Sequence, residues 1–119
     1  MCAPPPSAAA DPLPFPFPFL FPSNGSVFVG ILQVSLSLEA ARSLKDKRRV
    51  VKGIVDRVRA RFNVSAAEVD ALDQWKSAGL GFAAVSNEAR HVRGLLQQVL
   101  NHLGNHPEAR LVDHQLEVL

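Results

Sequence analysis

Tyrosine is absent from the 119-residue chain, and tryptophan, cysteine and methionine occur once each. A lone cysteine, Cys2, excludes a disulfide within the chain, which fits a reducing compartment. Proline is almost missing after Ser23: eight of the nine lie before it, and only Pro107 comes after. Lysine and arginine are missing before Arg42, and prolines interrupt the apolar part of the N-terminus, so the segment does not read as a secretory signal. No breaker-free apolar run reaches the ~18 residues that argue for a membrane span. These absences lead us to expect a cytoplasmic protein without a membrane partner.

Catalytic signatures are missing as well. There is no phosphate loop, no Gly-x-Ser-x-Gly elbow and no cysteine in a catalytic setting. His91, His102, His106 and His114 lack metal-ligand spacing, and Gly104 and Pro107 break the helix that would align His102 with His106. Glu68, Asp70 and Asp73 read as exposed strand carboxylates rather than an acid–base site. We therefore expect no catalysis, no metal and no cofactor. An enzyme acting on a phosphorylated small molecule would lack an identifiable acid–base pair.

The composition breaks near Ser23. Residues 12–22, PLPFPFPFLFP, alternate Pro with Phe or Leu; without proline N–H groups they can join neither helix nor sheet. Residues 1–26 are expected to be a disordered Pro/Phe-rich extension, with docking as a Pro-rich ligand its functional alternative. The 93 residues from Val27 to Leu119 are expected to form one domain, large enough to bury about 60–65% of its unfolded surface.

Within 27–119, hydrophobic periodicity gives six elements. Leu32, Val34, Leu36 and Leu38 alternate with Gln33, Ser35 and Ser37, predicting a strand over 27–38. Ser43 and Asp46 form a capping-box-like pair opening a helix whose apolar stripe is Leu44, Val51, Ile54, Val55, Val58 and Phe62, with Asn63 as a left-handed terminus. Strands are predicted over 63–72 and 75–86, the second softened by Gly79 and Gly81, which suggest a bulge or a close helix. A helix capped by Ser86 or Asn87 comes next, with stripe Val92, Leu95, Leu96, Val99 and Leu103, ended by Gly104. A last strand, 109–119, places Val112, His114, Leu116 and Val118 on one side. The order βαββαβ, with two one-sided helices and right-handed crossovers, predicts an α+β ferredoxin-like sandwich with both helices on one face of a four-stranded antiparallel sheet.

Charge is segregated far more than the net +2 suggests. Nine of thirteen basic residues fall between Arg42 and Arg61 with only Asp46 and Asp56 among them, giving that segment +7. The helix start SLKDKRR thus sets cations where the helix dipole is already positive. At 100° per residue from Val51, Arg48, Arg59, Lys52, Lys45 and Arg49 fall at roughly 60–160°, one outward arc. These five are the candidate nucleic-acid or anion-binding residues. Lys47 falls near −40°, inside the apolar stripe, where it must snorkel past the sheet edge or meet an acid. The start of the helix and the turn between the second and third strands share one end of this fold. We therefore expect Ser43 to cap the helix and Lys47 to approach Glu68 or Asp73. Trp75 would either pack over the sheet edge or bind a base or partner.

The segments ARSLKDKRRVV, RFNVSAAEVD, DQW and GLGFAAVSN closely resemble the bacterial YlxP-like family, a domain of unknown function with a ferredoxin-like fold. The resemblance runs from Val27 to about Leu103 and more loosely through the last strand; Ala66 stands where the family pattern has valine. Family members typically begin where Val27 stands, and valine is what a GTG start codon becomes when read as internal, so residues 1–26 are expected to be upstream sequence or an added extension. Genes of the family often neighbour those of translation and ribosome-maturation factors. The resemblance therefore implies structured RNA or a ribosomal subunit as partner. The other expectation is a protein-interaction module, homodimerising through the open sheet face with Val29 and Ile31, or a small-anion-binding module.

Overall fold

The computed structural model describes residues 27–119; the expected Pro/Phe-rich extension lies outside them. Strand β1 (Phe28–Ser37) leads to helix α1 (Leu44–Arg61), then β2 (Ser65–Asp70), β3 (Ser77–Ser86), helix α2 (Ala89–Leu103) and β4 (Arg110–Val118). The sheet order is β2-β3-β1-β4, antiparallel at every pairing. This is the ferredoxin-like α+β sandwich, with β2 and β4 at the edges.

Period-two alternation decides which face is covered. Leu32, Val34 and Leu36 on β1 lie beside Phe82, Leu80 and Ala78 on β3, and all six are buried. From α1, Val50, Val51, Ile54, Val55 and Val58 join them; from α2, Val92, Leu96, Val99, Leu100 and Leu103 do. Val50 and Leu100 extend the two stripes beyond the residues their spacing picks out. Gln33, Ser35, Gly79 and Gly81 fall on the opposite, uncovered face.

Three local expectations are corrected and a fourth is narrowed. Asn63 is not left-handed: α1 runs directly into extended backbone at Phe62 (φ −124°, ψ 147°), because the chain turns at once into β2. The residue capping α2 is Glu88, whose N–H is held by Ser86 Oγ at 3.2 Å, so Ser86 acts from two residues earlier. Val112 does not share a side with His114. A bulge opposite Ser35 and Leu36 pairs Leu111 with Leu36 and leaves Val112 56% exposed. Of the two readings of Gly79 and Gly81, the bulge holds: Gly79 admits Asp70 at the β2 bulge, and the strand glycine that admits a helix is Gly30, where a Cβ would collide with Val92 Cγ1.

A basic helix row and a latched hairpin

The first turn of α1 supplies its own anion. Ser43 is extended (φ −165°), and its Oγ accepts from the Asp46 N–H at 3.0 Å. Asp46 in turn accepts from the Arg42 N–H at 3.2 Å and from Arg49 at 3.0 Å. The Arg49 guanidinium, then the Arg42 N–H, hold the Asp46 carboxyl below the usual aspartate range. The like charges at the helix start are thus answered by a carboxylate placed for the dipole.

The five arc residues divide by what they touch. Arg49 turns toward the segment after α2 and meets Glu108 at 3.1 Å. Lys52 pairs with Asp56 one turn on, at 2.8 Å. Arg59 donates to the Ala66 carbonyl at 2.6 Å, tying this side of the helix to the outer strand β2. Lys45 and Arg48 are exposed and have no hydrogen-bond or ion-pair partner among the described residues. Since Arg48, Lys52 and Arg59 share a narrow arc, and Arg59 fixes that arc to β2, the row runs along the edge of the sheet. Exposed pairs such as Lys52–Asp56 are worth about 0–1 kcal/mol, so their cations can exchange partners at little cost.

Lys47 is the opposite case. It is 0% exposed, and its Nζ lies 2.7 Å from Glu68 Oε2. It also donates to the Ala71 carbonyl. Glu68 keeps 17% side-chain exposure, and its contact with Lys47 is a close approach of charges rather than an aligned hydrogen bond. Attraction at that separation does not need alignment, so the ion contact governs. Asp73 makes no ion pair among the described residues; Glu68 wins because it lies on the covered face of β2, opposite Leu80.

The latch bears on an unusual turn. Ala71 has φ 58°, the one non-glycine with positive φ among the described residues. Its N–H is bound by Asp70 Oδ1 at 2.8 Å, and its carbonyl takes both Lys47 and the Gln74 N–H. Beyond it, Leu72 is 55% and Trp75 44% exposed. Trp75 therefore keeps part of its ring in solvent. The Lys76 ammonium stands 5.8 Å from its ring centroid and is held by the Glu39 carbonyl at 2.8 Å. Sequence spacing missed Ala71 and Glu108; neither residue type announces a backbone acceptor or a partner 59 positions away.

The uncovered face carries a shallow cavity of about 280 Å³, lined by Gln33, Ser35, Asp70, Asp113 and Gln115 among others. Among the described residues no His, Cys, Asp or Glu group is placed to hold a metal, and no helix is long and apolar enough to cross a membrane.

Two comparisons place this architecture. The model of the family described as "Protein of unknown function (DUF503)" matches residues 29–116. The "Uncharacterized protein YlxP" of Bacillus subtilis (strain 168) is 38% identical over 80 residues, covering 67% of this chain and 87% of that protein. The match spans every element from β1 to β4, and with it the basic helix and the latched hairpin; the chain belongs to the DUF503 family and is YlxP-like.

Proposed function

We propose that this domain is a non-catalytic accessory factor that binds structured RNA or a ribosomal particle through the outward row of α1. The observation that carries the reading is the row itself. Lys45, Arg48, Lys52 and Arg59 lie on one exposed helix face along an edge strand, with Lys45 and Arg48 unpartnered among the described residues. Cations in a row at a protein edge neutralise successive phosphates without reading bases. Asp46 occupies the helix start, so the row rather than the dipole is the contact surface.

With two to four phosphates neutralised, affinity for a structured RNA falls about 10- to 150-fold between 50 and 200 mM salt. The test is a salt titration of binding to a ribosomal RNA fragment, with Arg48→Glu/Lys52→Glu as the control. Binding that ignores salt, or survives the double reversal, rejects the reading. The alternative is association of two copies through the uncovered sheet face, favoured by Val85 at 66% exposure. A stable dimer that retains no RNA would select it.

A further inference from the structure

We infer that the β2–β3 hairpin tip takes an unpaired RNA base against Trp75 while Lys45 and Arg48 hold the adjoining phosphates. This rests on the RNA reading above and gives it a substrate class: single-stranded nucleotides at the end of the basic row, rather than duplex alone.

Three of the seven large apolar side chains exposed among the described residues fall in one short stretch: Val69, Leu72 and Trp75. Trp75 is the chain's only tryptophan, and it lies outside the buried core with 44% of its surface exposed. A solvated loop could turn such residues inward. Here the turn is held instead. Its carbonyl at Ala71 is fixed by the buried Lys47 ammonium, its N–H by Asp70, and its backbone sits in the left-handed region that alanine disfavours. Leu72 and Trp75 thus follow a turn whose backbone is held at both its N–H and its carbonyl.

Charge around this turn argues for the occupant. Lys47 draws the first turns of α1 against the hairpin, which brings the end of the helix that carries the exposed Lys45 and Arg48 to the same end of the fold as the tip. The row that Arg59 fixes along β2 ends at this same place. An indole is a stacking surface for any base, and a neighbouring row of cations suits a sugar–phosphate backbone. Asp70 and Asp73 stand on the turn itself, and Glu39 and Asp46 lie on the adjoining loop and helix start. Their carboxylates repel phosphate from the tip and direct the backbone to the helix side. Asp73, without an ion pair among the described residues, can also accept from an amino or imino group of the base. A base inside a duplex is already stacked on both faces and offers Trp75 neither.

The single tryptophan gives a direct readout. The whole chain is titrated with a single-stranded oligoadenylate of about twelve nucleotides and, at equal nucleotide concentration, with an RNA duplex of about sixty base pairs, in which open ends are scarce. The expected result is quenching of Trp75 emission by the oligoadenylate and little change with the duplex. By anisotropy of dye-labelled RNA, Trp75→Ala weakens oligoadenylate binding about 5- to 150-fold, Trp75→Phe recovers part of it, and the slope of affinity against salt is unchanged. Far-UV circular dichroism confirms that each variant folds. If RNA binds with the expected salt slope but Trp75 is not quenched and Trp75→Ala binds like the parent, this inference is overturned and the phosphate reading stands. If neither RNA binds, both are overturned.

Discussion

Replacing Glu68 by glutamine removes one charge and almost no volume. The Lys47 ammonium has 0% exposure and lies 2.7 Å from Glu68 Oε2. At an effective dielectric of about 20, that separation corresponds to about 6 kcal/mol of gross attraction, much of it offset by desolvation. Removing one partner of a fully buried pair costs about 3–5 kcal/mol. Glu68 is 17% exposed, so the pair is short of full burial and the expectation for Glu68→Gln is about 2–3 kcal/mol. For a domain of this size that is a fall in Tm of roughly 10–20 °C. Lys47→Met removes the buried charge together with its desolvation and leaves Ala71 O its bond from Gln74 at 3.1 Å. It also leaves the Glu68 carboxylate, whose Oε2 is buried, without its cation, so it should likewise cost about 2–3 kcal/mol; adding Glu68→Gln to it should cost no more, giving a coupling of about 2–3 kcal/mol. Urea denaturation monitored by circular dichroism measures all three variants. A Glu68→Gln loss below about 0.5 kcal/mol, or additive single effects, would show that the ammonium is hydrated and refute the latch.

Ala71→Gly should stabilise by about 0.5–1 kcal/mol, since φ 58° costs alanine more than glycine's added chain entropy; a thermal melt reads the rise. Gly30→Ala should destabilise by about 1–3 kcal/mol, because the new Cβ runs into Val92 Cγ1 and falls 2.7 Å from Leu96 Cδ1; urea midpoints measure the loss. Burial, then the Arg57 charge, holds His106 below the ordinary histidine range, and its Nδ1 accepts from the Glu108 N–H at 3.0 Å. Burial, then Arg61 and Arg57, lower His102 likewise. The unfolded chain therefore takes up protons first as pH falls through about 6.5, so stability declines below that value until the lowered native values are passed. His102→Gln/His106→Gln should flatten the stability profile between about pH 7 and 5; an unchanged profile would exclude these two residues as its source.

Helical and strand periods carried most of the fold. The stripes of α1 and α2 and the alternation of β1 name nearly all the core, since they arise from backbone geometry alone. Element ends were less legible: the predicted strand over 63–72 is Ser65–Asp70, cut short by the bulge and the left-handed turn at Ala71. The site was legible in part. Lys47 stood out by its angle on the helix, yet its choice between Glu68 and Asp73 needed the register of β2 against β3. The basic arc was visible as an arc, but its division was not. Arg49 finds Glu108 and Arg59 finds Ala66 O only because α1 lies between the α2–β4 connection and the outer strand.

The sequence by itself determined the order βαββαβ, the covered sheet face and the cationic character of α1, because each is a matter of spacing along the chain. Only the tertiary structure decided that Lys47 is buried, that Trp75 is exposed and that two of the five cations remain unpartnered among the described residues. Those outcomes depend on which distant groups share a few ångströms, and a local pattern of residue types does not encode that distance.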